Sequence, residues 1–131
     1  MIKRDFLSLL DFSSDELKYV IERAKTLRKQ HENGEVYQSL VGKTGALILT
    51  MSSTRTRVAF EAGFAQMGAR VIFLSPGDTQ IGRGEPLEDL ARVLSEMVDI
   101  IMIRTASQQD IETLAHYALS LIHISEPTRR M

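Results

Sequence analysis

Apolar residues in this chain occur in short continuous runs and in helix-spaced sets that follow one another. The runs predict buried strands at Ala46 to about Thr50, Val71–Leu74 and Asp99–Arg104. Apolar residues three and four positions apart predict four helices, whose inner faces carry Leu17, Val20, Ile21, Ala24 and Leu27, then Phe60, Phe64 and Met67, then Leu87, Leu90, Ala91, Leu94 and Met97, then Ile111, Leu114, Ala115 and Ala118. This order predicts an α/β fold: a three-layer domain whose parallel sheet has helices on both faces, with the first helix beside it.

Capping and breaking residues predict where these helices begin and end. Ser13 and Glu16 have the capping-box spacing at the start of the first helix, and Gly34 is placed to end it. The second helix is predicted from Val58 to Met67, with Gly68 as its stop. Pro86 suits the first position of the third helix, and Ser107 with Asp110 opens the fourth.

Composition narrows the class of protein without naming a function. With 131 residues, 44% of them hydrophobic and 25% charged, the chain resembles an ordinary globular domain. A net charge of −1 gives no reason to expect nucleic acid or a membrane as a partner. The absence of cysteine excludes disulfides and thiolate metal sites. No apolar stretch approaches a membrane span, and the N-terminus lacks the apolar core of a secretory signal, so we expect a cytoplasmic protein.

The strongest chemical signal is a run of five donor residues directly after the first predicted strand. These are Ser53, Thr54, Arg55, Thr56 and Arg57, here called the anion motif. The first N–H groups of a helix have no intrahelical partner and lie at the positive end of its dipole, so they favour a bound anion. Hydroxyl and guanidinium donors suit phosphate oxygens. The motif therefore predicts a phosphate site; a solvated helix cap paired with surface carboxylates is the alternative.

Two arginines two positions apart point in different directions at a helix start. We expect one of Arg55 and Arg57 to face the ligand and the other to brace the fold. Glu61 fits an ion pair with a nearby arginine better than a role as catalytic acid.

Other polar residues are predicted to reach the same edge of the sheet. The polar loop from Gln80 to Pro86 follows the second strand, and Arg104 ends the third. Open α/β sheets bind ligands at the carboxyl ends of their strands, so these groups and the anion motif form a candidate constellation. A P-loop at Gly42-Lys43-Thr44 is excluded, because the earlier glycine is missing and a strand follows.

The anion motif closely resembles the carbamoyl phosphate motif of the aspartate/ornithine carbamoyltransferase superfamily, and the resemblance runs from about Phe6 to Ala118. Gln80-Ile-Gly-Arg-Gly-Glu-Pro-Leu-Glu-Asp-Leu, with Ile101-Met-Ile-Arg-Thr, resembles the ornithine branch. The aspartate branch, which would carry a serine and a lysine in that loop, fits less well. The resemblance implies transfer of a carbamoyl group to the side-chain amine of ornithine, giving citrulline and phosphate in arginine biosynthesis.

The resemblance also implies roles for individual residues. Ser53, Thr54, Arg55, Thr56 and Arg57 match the phosphate-binding run, Arg104 matches an arginine that reaches the carbamoyl end and the phosphate, and Gln80 matches a glutamine that contacts carbamoyl phosphate, often across a trimer interface. Arg55 and Arg104 are the expected catalytic residues. The reaction needs no cofactor and no metal, because cations and N–H groups can stabilise the charge that develops on the carbamoyl oxygen and the leaving phosphate. The implied partners are carbamoyl phosphate, ornithine and two further copies of the complete enzyme.

Two departures from the family pattern affect these expectations. Met51 stands where the family usually has a lysine, which removes one cation near the phosphate. Residues 119–131 match nothing in the carbamoyltransferases and resemble translated library-adaptor sequence. We therefore expect a carbamoyl-phosphate-binding domain at 1–118, an artefactual tail at 119–131 and no ornithine-binding domain. Residues 120–131 are expected to be loosely held, and a natural C-terminal extension is the alternative. The fragment is then expected to be inactive alone, and a stand-alone anion-binding module remains the alternative.

Overall fold

The computed structural model describes residues 5–49, 54–74, 87–105, 108–118 and 121–124. After a short 3₁₀ turn at Leu9–Asp11, the elements are α1 (Ser14–Glu32), β1 (Thr44–Leu49), α2 (Thr54–Gln66), β2 (Arg70–Leu74), α3 (Leu87–Ser95), β3 (Ile100–Arg104), α4 (Gln108–Tyr117) and β4 (Leu121–Ile124). No described helix is both long and apolar enough to cross a membrane.

The described strands form one parallel sheet in the order β2-β1-β3-β4. β1 lies between two neighbours, with Ile48 opposite Leu74 of β2 and Leu49 opposite Arg104 of β3. A strand with a partner on each side and helices on both faces must be apolar throughout, which is why Gly45–Leu49 is buried without interruption. The predicted α/β class and parallel sheet are confirmed.

Successive residues of the central strands serve two separate cores. Ala46 and Ile48 face α3 and α4, together with Ile101 and Ile103 of β3. Their neighbours Leu47 and Leu49 face the opposite layer with Met102, and pack against four partly buried residues, Phe60, Phe64, Val71 and Phe73. Helices therefore cover both faces, as predicted, because side chains alternate along a strand.

Helix α2 lies very close to β1, and a glycine makes this possible. A Cβ atom added at Gly45 would stand 2.8 Å from Cζ of Phe64, which is closer than carbon atoms approach in folded proteins. The two predicted helix stops, Gly34 and Gly68, have φ angles of 79° and 91°, in the left-handed region that favours glycine.

Helix α1 begins as predicted but does not bury its apolar face. Both bonds of the capping box form: Glu16 N–H donates to Ser13 Oγ (3.1 Å) and Ser13 N–H donates to Glu16 Oε1 (2.8 Å). No residue of α1 is buried, however, and the side chains of Val20 and Ile21 are 49% and 56% exposed. The prediction of an inner face is therefore wrong for Val20 and Ile21. Leu17 and Leu27 are partly buried, and Leu27 lines a cavity together with Gly63, Gln66 and Met67 near the end of α2.

Residues 121–124 correct the expectation of a loosely held tail. They form β4, which pairs in parallel with β3 from Leu121 opposite Ile100 to Ile124 opposite Ile103. The prediction is wrong for this segment, because an edge strand needs only one neighbour and its short apolar run gives little sequence signal. The sheet thus extends past residue 118, while residues 125–131 lie outside the described part of the chain.

Candidate anion-binding site

The anion motif lies at the start of a helix, one turn earlier than the apolar pattern suggests. Helix α2 begins at Thr54, whereas the sequence predicts Val58. The first turn is polar, so hydrophobic periodicity gives no signal there. Thr54, Arg55, Thr56 and Arg57 are consequently in the first turn, where backbone N–H groups lack intrahelical acceptors.

A hydrogen bond joins this turn to the third strand. Nη1 of Arg104 donates to Oγ1 of Thr56 at 3.2 Å, in a partly buried position. Arg104 is the last residue of β3 and lies opposite Leu49 of β1, and the chain leads from Leu49 to α2. The expectation that Arg104 and the anion motif meet at one edge of the sheet is confirmed.

Arg57 is held by two groups on the side of α2 that faces the second strand. Its Nε donates to Oε2 of Glu61, one helical turn away, at 2.5 Å. Its guanidinium carbon lies 3.7 Å from the centroid of the Phe73 ring in β2. The interpretation of Glu61 as an arginine partner is confirmed, and Arg57 is the arginine that braces the fold. Phe73 had no functional signal in the sequence, since a cation–π contact across two elements leaves no local pattern.

Arg55 differs from Arg57 in its surroundings. It is exposed, and it forms no ion pair with another described residue. A guanidinium without a neutralising carboxylate keeps its full charge for a ligand. Of the two arginines, Arg55 is therefore the one available to an incoming anion.

Some predicted site residues lie outside the described part of the chain. These are Ser53, Gln80, Met51 and the rest of the loop from Gln80 to Pro86. Their predicted roles stay predictions. Within the described residues, no cluster of three or more His, Asp or Glu side chains could hold a metal ion.

The assembled groups suit the binding of a compact anion. The Arg104 guanidinium and the Thr56 hydroxyl meet where β1 and β3 end, in the first turn of α2, which also carries Arg55 and the backbone N–H groups of a helix start. Such donors can stabilise negative charge that appears during group transfer.

The chain resembles one family of known proteins along nearly its whole length. Residues 4–127 match the family model described as "Aspartate/ornithine carbamoyltransferase, carbamoyl-P binding domain". This match passes the predicted domain boundary at residue 118 and includes β4. The ornithine carbamoyltransferase of Psychrobacter arcticus is 57% identical over 118 residues, which are 90% of this chain and 38% of that protein.

Solved structures show the same likeness. An ornithine carbamoyltransferase from Burkholderia thailandensis superposes with a TM-score of 0.89 at 45% identity, covering 95% of this chain and 43% of that one. The catalytic subunit of aspartate transcarbamoylase from M. jannaschii gives a TM-score of 0.85 at 25% identity, covering 95% and 41%. The chain thus spans well under half the length of the relatives it matches.

Proposed function

Because this chain belongs to the aspartate/ornithine carbamoyltransferase family and corresponds to its carbamoyl-P binding domain, we propose that it supplies the carbamoyl phosphate half of an ornithine carbamoyltransferase site. The complete site would transfer the carbamoyl group to the side-chain amine of ornithine, giving citrulline and phosphate. The bond between Arg104 and Thr56 carries the proposal, since it brings the end of β3 onto the helix start that holds the anion motif.

The chemistry of the transfer suits these residue types. The amine attacks the carbamoyl carbon, negative charge builds on the carbamoyl oxygen, and phosphate departs with the bonding electrons. Arg55 and the N–H groups of the α2 first turn are proposed to hold the phosphate. Arg104 is proposed to reach both the phosphate and the carbamoyl oxygen. Fixed cations of this kind lower the barrier because they need no reorganisation as charge develops.

The remaining residues of the predicted site belong to the same proposal. Ser53, Thr54 and Thr56 would add hydroxyl or amide donors to the phosphate, and Gln80 would contact carbamoyl phosphate. In the complete enzyme this contact would come from a neighbouring subunit of a homotrimer. A role in arginine biosynthesis and a cytoplasmic location also stay predictions.

Calorimetric titration of the 131-residue chain with carbamoyl phosphate tests the proposal. We expect saturable binding that inorganic phosphate competes for and that Arg55→Ala abolishes or weakens at least about tenfold, the loss expected for a charge-assisted bond. We expect no citrulline from carbamoyl phosphate and ornithine, because the chain spans about 38% of its relative. An Arg28→Ala variant is a matched control, since Arg28 lies on α1 and pairs with Glu32. Absence of phosphate-competitive binding would contradict the proposal.

A second candidate function is a stand-alone anion-binding module. The donor set itself is the observation that favours it, because the exposed Arg55 and the Arg104–Thr56 pair would suit any compact anion. Such a module would bind inorganic phosphate and carbamoyl phosphate equally well. A preference for carbamoyl phosphate at equal concentration supports the carbamoyltransferase half-site instead.

A further inference from the structure

Arg57 has contacts that differ from those expected of a phosphate ligand. One side of its guanidinium is stacked on Phe73 at 3.7 Å, and its Nε is used by Glu61. The contact with Phe73 ties the first turn of α2 to β2, and the Glu61 pair, which lies within α2, holds the guanidinium in place. They leave Arg57 pointing toward the partly buried aromatic residues under α2.

The bond between Arg104 and Thr56 makes an equivalent tie on the other side. Thr56 is adjacent to Arg57 in α2, and Arg104 belongs to β3. In the sheet order, β2 and β3 are the two neighbours of β1. The first turn of α2 is therefore anchored on both sides of the strand that leads into it.

We propose that Arg57 is a positioning residue for carbamoyl phosphate: its stack on Phe73 sets where the first turn of α2 presents Arg55, Thr56 and the backbone N–H groups of that turn. This inference rests on the proposed function and deepens it, because it separates the residues that touch the anion from the one that orients them. A helix start that is fixed on one side only can pivot about the Arg104–Thr56 bond. Binding then requires the turn to be ordered again, which weakens affinity.

A double-mutant cycle separates positioning from direct contact. The four proteins are the wild-type chain, Arg57→Met, Phe73→Leu and the double variant, titrated with carbamoyl phosphate and with inorganic phosphate. If Arg57 acts through Phe73, each single variant binds about three- to tenfold more weakly, the range for contacting side chains, and the double variant is no worse than either single. Phe73→Tyr keeps the ring and is expected to retain wild-type affinity.

The chain offers a matched control with the same chemistry elsewhere. Arg92 lies over the Tyr117 ring at 4.8 Å and pairs with Asp89 at 3.4 Å, between α3 and α4. Arg92→Met and Tyr117→Leu remove a comparable stack and ion pair away from the anion motif. They are expected to lower thermal stability by a similar amount and to leave affinity for both anions unchanged. If the variants acted only through a general loss of packing, affinity for the anions would fall both in the Arg57 and Phe73 variants and in the Arg92 and Tyr117 variants.

The chemical shifts of backbone amides in ¹H–¹⁵N spectra report ligand contact at individual residues, and a change in overall stability alone does not alter them. Carbamoyl phosphate is expected to shift the Arg55 and Thr56 amides in the wild-type chain and in Arg92→Met, and to shift them less in Phe73→Leu. The inference is overturned if Phe73→Leu binds like wild type while Arg57→Met loses tenfold or more, since Arg57 then contacts the anion directly. It is also overturned if the two losses multiply in the double variant. Should the wild-type chain bind neither anion, the proposed function fails at the first titration and the positioning role falls with it.

Discussion

Replacing Thr56 by valine probes the contact that joins α2 to β3. Valine has nearly the same shape as threonine but cannot accept the hydrogen bond from Nη1 of Arg104. The change leaves a partly buried guanidinium N–H without this acceptor. It also removes one hydroxyl from the anion motif.

The geometry sets the expected size of the effect. Hydrogen bonds to charged groups contribute about 1.5–3 kcal/mol. The Arg104–Thr56 bond is 3.2 Å long and only partly buried, so the lower end, about 1.5 kcal/mol, is appropriate. A loss of this size lowers the melting temperature of a chain of this length by roughly 5 °C. If the hydroxyl also donates to phosphate, the Kd for carbamoyl phosphate rises by about tenfold or more.

Calorimetric titration and thermal unfolding measured on the same samples test both effects. Thr56→Ser keeps the hydroxyl and is the matched control, so it is expected to remain within about twofold of wild-type affinity, a difference of less than 0.5 kcal/mol. The reasoning is refuted if valine binds carbamoyl phosphate as well as threonine does. It is equally refuted if serine and valine lower affinity to the same extent, because the hydroxyl would then not be the group that matters.

Three further predictions concern the scaffold that positions the site. Gly45→Ala places a Cβ 2.8 Å from Phe64 and is expected to lower the free energy of unfolding, measured in urea, by about 1–3 kcal/mol, part of which Phe64→Leu should restore. An unchanged urea midpoint in Gly45→Ala contradicts the close approach. Ser13→Ala removes the α1 cap and is expected to lower the free energy of unfolding by about 1 kcal/mol, whereas Ser13→Gly is expected to lower it by only a few tenths of a kcal/mol. If thermal unfolding shows equal losses for the two variants, the cap is not the cause. Asp99→Ala removes the carboxylate that accepts a hydrogen bond from the N–H of Thr44 at 2.9 Å, and it is expected to destabilise the fold by about 1 kcal/mol. Asp99→Asn keeps an acceptor, so faster amide hydrogen exchange at Thr44 is expected in the alanine variant alone.

The local pattern of apolar and capping residues was sufficient to predict most of the helices and strands. The spacing of Ser13 and Glu16 predicted a capping box that the structure forms in full. The apolar runs predicted three of the strands, and β1 and β3 are buried because a strand covered on both faces needs apolar residues at every position. The prediction that β2 is buried is wrong: none of its residues is buried and Ile72 is 42% exposed. The motif at 53–57 also identified the family, and the comparisons confirm that recognition. These features depend on residues close together in sequence.

The tertiary structure decided features that depend on residues far apart. The sequence predicted that one arginine of the anion motif braces the fold, but only the packing of β2 beside β1 shows that Arg57 reaches Phe73. The apolar face of α1 predicted burial, yet Val20 and Ile21 stay exposed. The strand at Leu121–Ile124 became visible only through its pairing with β3. Periodicity reports what a segment can bury, whereas neighbouring elements determine what it does bury, and that information is not local to any segment.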